Sequence, residues 1–164
     1  MADIKDQHET SPGIKRILIV DDHPVVRQGL AQFINLEPDL EVRAEAGTAK
    51  EAIEAVEKQK FDLAIVDMLL ENTTGVQVTE KIRLRFPNLP VLIFSMSDDL
   101  YYVKRALGAG ARGYITKDEI SDNIINAIRQ VFAGKIYLSN KLIQKFPKSE
   151  LDNLLQANIG DCTG

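Results

Sequence analysis

Five short apolar runs recur along this chain, and a helix-length segment separates each from the next. They are RILIV at 16–20, LEVRAEA at 40–46, FDLAIVD at 61–67, PVLIFS at 90–95 and GYIT at 113–116. Most are unbroken by polar residues, which is the pattern of strands buried on both faces. Such a sheet is mostly parallel and needs helices on both sides. Right-handed crossovers then make a doubly wound α/β architecture the natural one, with five parallel strands.

The intervening segments carry helix signals. Residues 24–36 begin with Pro24, an ordinary first-turn residue, and place Val26, Leu30, Phe33 and Ile34 on one face. Residues 48–59 open on TAKE, a capping box in which Thr48 caps and Glu51 reaches back. Residues 74–86 stop before Pro87. Residues 98–108 follow Ser97, read as an N-cap, and stop at a glycine. Residues 119–133 carry Ile120, Ile124, Ile128 and Val131 on one face and stop at Gly134. Beyond them, SNKLIQKF reads as a helix capped by Ser139, and SELDNLLQ as another short one.

Sheets of this kind bind ligands at the carboxyl ends of their strands, near the switch in strand order. The residues standing there carry the chemistry. Asp21 and Asp22 follow the first run, Asp67 ends the third, Ser95 ends the fourth, and Lys117 follows the fifth. Three carboxylates at one rim repel one another unless a cation lies between them. Oxygen-only donors favour a hard ion, Mg²⁺ before Zn²⁺. A metal and a lysine flanking a carboxylate suit a phosphoryl group, whose negative oxygens need neutralising as it transfers. Each residue alone has a plainer reading, since an acid after a strand is often a helix cap. The joint pattern at four strand ends favours a phosphoacceptor site.

With these residues in place, the chain resembles the receiver domains of two-component response regulators, which have a flavodoxin-like fold. The resemblance rests on the pair Asp21–Asp22, on Asp67 with Gly75 eight positions later, on Ser95, and on GYITK ending in Lys117. It spans residues 15 to 134. VDDHPVVRQGL, GARGYITKDE and GKIYLS are similar to the LuxR-type subgroup, whose members usually carry a C-terminal helix-turn-helix. The resemblance implies that Asp67 accepts a phosphoryl group from a histidine kinase. It implies Mg²⁺ held directly by Asp22, Asp67 and the Leu69 backbone carbonyl, with Asp21 acting through water. Lys117 would pair with phosphoryl oxygens, Ser95 would hydrogen-bond them, and Tyr114 would be an aromatic switch between outward and inward rotamers. The expected output is a changed protein-interaction surface. Homodimerisation would use the fourth and fifth helices around Tyr114 and Lys104, or the first and fifth.

One departure from the family pattern is Glu71, where many relatives have proline. It leaves the loop less rigid and adds a charge near the site. A Mg²⁺-dependent phosphohydrolase with an aspartyl nucleophile is the competing activity. Such enzymes commonly place a second acid two residues on, where this chain has Leu69. The chain is therefore read as a switch, not an enzyme, beyond its own phosphorylation and dephosphorylation. A receiver-like docking module that is never phosphorylated is the third option, and the complete acceptor set disfavours it.

Composition bounds the rest. With 45% hydrophobic and 27% charged residues the chain can build a core, and its net charge of −4 disfavours nonspecific binding to nucleic acid. The C-terminal lysines Lys135, Lys141, Lys145 and Lys148 are balanced by Glu150, Asp152 and Asp161, so DNA binding is not expected in these residues. Control of transcription would need a DNA-binding domain outside them. No run reaches the roughly 20 apolar residues of a membrane helix, so a cytoplasmic location is expected. The organisation expected is a flexible tail at 1–14 that includes a solvated His8, a receiver domain at 15–134, and a helical extension or linker at 135–164. Cys162 is a single thiol and forms no disulfide framework. His23 is read as a helix-start residue at the pocket rim, not as a ligand. GAGARG at 108–113 fits a dinucleotide fingerprint in letters, but it ends a helix and precedes a strand, so it reads as a turn.

Overall fold

A computed structural model describes residues 13–163, with side chains described through residue 156. His8, most of the expected tail and the Cys162 side chain lie outside the described residues. The strands are β1 (Lys15–Val20), β2 (Leu40–Ala46), β3 (Leu63–Asp67), β4 (Val91–Ser95), β5 (Gly113–Thr116) and β6 (Tyr137–Leu138). The helices are α1 (Pro24–Asn35), α2 (Ala49–Lys58), α3 (Gly75–Arg85), α4 (Leu100–Gly108), α5 (Ile120–Phe132), α6 (Asn140–Lys145) and α7 (Lys148–Thr163). A 3-10 turn at Lys117–Glu119 leads into α5.

The sheet is wholly parallel, in the order β2-β1-β3-β4-β5-β6. It is doubly wound as expected, but it has six strands, not five. The sixth is two residues long and pairs with Gly113 and Tyr114 at the sheet edge. Two residues carry no readable alternation, so only the pairing reveals this strand.

The pleat divides the core into two layers. Ile17, Ile19, Leu63, Ile65, Leu92, Phe94 and Ile115 pack with Leu30 and Ile34 of α1 and with Ile124 and Ile128 of α5. Leu18, Val20, Ala64, Val66, Val91 and Ile93 face α2, α3 and α4, with Leu142 and Phe146 at the edge of that layer. Unbroken apolar strands are thus buried on both sides.

Local signals explain most element ends. Thr48 accepts from the Glu51 amide, but the Glu51 carboxylate reaches back to Gly47, one residue before the cap. Asp99, not Ser97, caps α4 by accepting from the Tyr101 amide, while Ser97 accepts from Asp99. Ser139 occupies the N-cap position of α6 without capping it; its hydroxyl oxygen accepts from the Thr116 amide. Gly110, with φ of 101°, makes the turn between α4 and β5, so GAGARG is a helix stop.

Candidate functional site

The register brings the strand-end residues together. Val20 is level with Val66, Asp67 with Phe94, and Ser95 with Thr116. The chain leaves β1 for β2 on one side and returns to β3 on the other, so the strand order reverses between β1 and β3. Asp21 and Asp22 therefore stand across from Asp67 at the switch point. Gly75 lets the start of α3 close over this end of β3. A Cβ there would lie 2.5 Å from the Asp67 carbonyl oxygen and 3.0 Å from the Met68 Cα, both backbone atoms.

Each acid has its own environment. Asp21 is fully buried; its Oδ1 accepts from the His23 amide at 2.7 Å and its Oδ2 lies 3.5 Å from Lys117 Nζ. Asp67 is 4% exposed; its Oδ2 lies 3.0 Å from Lys117 Nζ and its Oδ1 accepts from the Leu69 amide. Burial pushes the Asp67 carboxyl above the usual range; the Lys117 ammonium opposes that shift, and the Asp21 carboxylate adds to it. Lys117 also rests over the Phe94 ring, 4.9 Å from its centroid. Ser95 is buried, with its hydroxyl oxygen accepting from the Ser97 amide.

The donor set fits a divalent cation. Asp22 Oδ1 is sealed from solvent and accepts no hydrogen bond; the His23 ring 2.9 Å away is charged only if protonated, so a cation would find a free donor there. One donor atom each from Asp21, Asp22, His23 and Asp67 lie within 4.8 Å of one another. These carboxylate oxygens suit Mg²⁺. The sequence reading did not count His23 in this group; its place directly after the acidic pair was the available signal.

Comparison with known proteins then decides the family. The response regulator receiver domain matches residues 17–129. The chain belongs to this family. The receiver is 40% identical over 127 residues to the transcriptional activator protein ExaE of Pseudomonas putida, covering 77% of this chain and 59% of that protein. It is 34% identical over 133 residues to the transcriptional regulatory protein DegU of Brevibacillus brevis, covering 81% and 56%. The chain thus spans less than two-thirds of either relative. A LuxR-family response regulator from Aurantimonas has the same fold, with a TM-score of 0.80 at 32% identity, over 84% of this receiver and 99% of that chain. This chain is accordingly a receiver domain of the LuxR/NarL/DegU type.

Two further parts of the receiver surround the pocket. Tyr114 is turned inward and wholly buried, donating its hydroxyl to the Ser97 carbonyl at 2.8 Å. Burial raises its phenol to about 12. Asp98, in the same loop, faces Lys145 at 2.7 Å and Lys141 at 3.5 Å on α6, and Lys141 also reaches Asp118, beside Lys117. Helix α6 thus touches both loops that flank the pocket. Lys104 pairs with Glu150 of α7. Of the paired tyrosines on α4, Tyr101 is exposed and Tyr102 half-buried. Leu69 projects into solvent, as does Glu71. No helix among the described residues is long and apolar enough to cross a membrane.

Proposed function

We propose that this receiver is a phosphoacceptor switch that takes a phosphoryl group on Asp67 from the phosphohistidine of a histidine kinase. One observation carries the reading: Lys117 Nζ stands 3.0 Å from a buried Asp67 carboxylate, inside a ring of acids. An ammonium so placed can follow the charge from carboxylate to phosphoryl oxygen. An Asp67 oxygen attacks phosphorus as the P–N bond to the kinase imidazole breaks, giving an acyl phosphate. Lys117 then pairs with a phosphoryl oxygen, and Ser95 turns its hydroxyl to donate to another. Asp22, Asp67 and the Leu69 carbonyl would hold Mg²⁺ directly, and Asp21 through water. The ion supplies neutralisation of the transferring oxygens.

The signal leaves the pocket along the β4–α4 loop. When Ser95 moves toward the phosphoryl group it displaces Ser97, to which Tyr114 is bonded, and Asp98, to which α6 is paired. The partner surface that follows is a homodimer. Contacts of Leu151 and Leu154 with the core, and of Glu150 with Lys104, occupy part of the α4 face, which favours α1 and α5 for the dimer. Residues 15–134 act as the receiver, with β6 and α6 of the 135–164 extension packed on it. The output is control of transcription in the cytoplasm through a DNA-binding domain outside these residues. The receiver itself turns over no other substrate.

The test is a titration with Mg²⁺ and then beryllofluoride, followed by NMR of the strand-end amides. The reading expects saturable shifts at Asp67, Ser95 and Lys117, and their loss in Asp22→Ala. Unchanged titration of Asp22→Ala would remove the metal from this account.

A further inference from the structure

His23 has a geometry that its place at a helix start does not require. It is the N-cap residue of α1, with extended backbone at φ −102° and ψ 104°, yet its side chain makes no cap bond. The imidazole instead turns back over the acids. Its Nδ1 lies 2.9 Å from Asp22 Oδ1 and 3.1 Å from Asp21 Oδ1, although the ring is two-thirds exposed. The approach to Asp22 is at ion-pair distance, although Asp22 Oδ1 accepts no hydrogen bond. The ring nitrogen therefore stands against two carboxylate oxygens of the pocket, in a cluster of four donors completed by Asp67. The helix start is served without it, because Pro24 fixes the first turn and the His23 backbone amide binds Asp21.

We propose that His23 is a nitrogen donor to the divalent ion in this pocket and tilts its preference from Mg²⁺ toward Mn²⁺. The inference rests on the reading that Asp22 and Asp67 hold a metal. Mg²⁺ keeps an all-oxygen shell and sheds its waters reluctantly, so an imidazole adds little to it. Ions later in the first transition row accept imidazole readily, with Mn²⁺ the one that also suits carboxylates and water. In the tautomer with its proton on Nδ1, the ring donates to Asp21 Oδ1. Binding uses the tautomer with its proton at Nε2, which leaves the Nδ1 lone pair to the ion. Asp21 then loses a side-chain donor but keeps the His23 amide and Lys117.

The test uses the 164-residue chain as it stands, with MnCl₂ and MgCl₂ as probes. Pulsed EPR of the Mn²⁺ complex reads directly whether a ¹⁴N nucleus is bound, and calorimetry gives the two affinities. The parent should show imidazole modulation, and His23→Ala should abolish it. Losing a ligand costs at least what an outer-shell partner does, so Mn²⁺ affinity should fall about tenfold or more, with Mg²⁺ affinity falling much less. Absence of ¹⁴N coupling in the parent, with Mn²⁺ and Mg²⁺ still bound, overturns the role of His23 and leaves the acidic site standing. Equal losses for both ions overturn the selectivity. A parent that binds neither ion overturns this inference and the metal in the proposed function together.

Discussion

Lys117 Nζ lies 3.0 Å from Asp67 and 3.5 Å from Asp21, so one ammonium joins the acids at the ends of two neighbouring strands. Both carboxylates are buried, and the lysine is mostly so. Removing one member of such a group leaves charge without compensation. Lys117→Met should therefore destabilise the metal-free protein by about 3 kcal/mol, the scale for breaking a buried pair. Urea denaturation with and without Mg²⁺ checks this. Added Mg²⁺ should restore part of the loss, because an ion can replace the missing cation.

Gly75 sets how closely α3 approaches the acceptor strand. Its missing Cβ would fall 2.5 Å from the Asp67 carbonyl oxygen, where only backbone could yield. Gly75→Ala should cost about 2 kcal/mol, the range for overpacking a tight contact. It should also shift the amides of Met68 and Leu69. At Gly29, in the middle of α1, a Cβ meets nothing within 4 Å. Gly29→Ala should instead stabilise by about 1 kcal/mol through helix propensity alone. Thermal unfolding of the two variants should move in opposite directions.

The contact of α6 with the pocket loops is electrostatic. Lys145 and Lys141 hold the Asp98 carboxyl below the usual range; Thr116 and Lys141 do the same for Asp118. A lowered folded-state pKa contributes stability that is present above the unfolded value and is lost as pH falls through the folded one. The hold on α6 should thus be complete at neutral pH and weaken as pH drops from about 4 downward. Methyl shifts of Leu142 and Ile143 across an acid titration report it. Asp98→Asn should give part of the same shift at neutral pH, and salt should weaken the contact because the pairs are exposed.

Much of this was legible in the sequence. Strand burial on both faces follows from unbroken apolar runs such as LAIVD, all five residues of which are buried. The meeting of Asp21, Asp22, Asp67 and Lys117 follows from strand ends and a parallel sheet, because parallel strands put their carboxyl ends on one rim. What escaped depends on contacts between distant residues or on a choice between neighbours. β6 is visible only through its pairing with Gly113 and Tyr114. Ser97 and Asp99 are both good caps two residues apart, and the direction of the loop gives α4 to Asp99. Ser139 has a capping residue's chemistry, but its hydroxyl accepts from the Thr116 amide on the neighbouring strand and leaves its own helix uncapped. Asp98 meets Lys145 across 47 positions of chain, which no local pattern encodes.

The central claim is that Asp67 accepts the phosphoryl group. Intact-mass measurement after incubation with acetyl phosphate and Mg²⁺ tests it most directly, because it counts added groups on the whole chain. The parent should gain one phosphoryl group, lost again at alkaline pH as an acyl phosphate is. Asp67→Asn should gain none under the same conditions while remaining folded by circular dichroism. Undiminished labelling of Asp67→Asn, or no labelling of a folded, Mg²⁺-bound parent, would contradict the account.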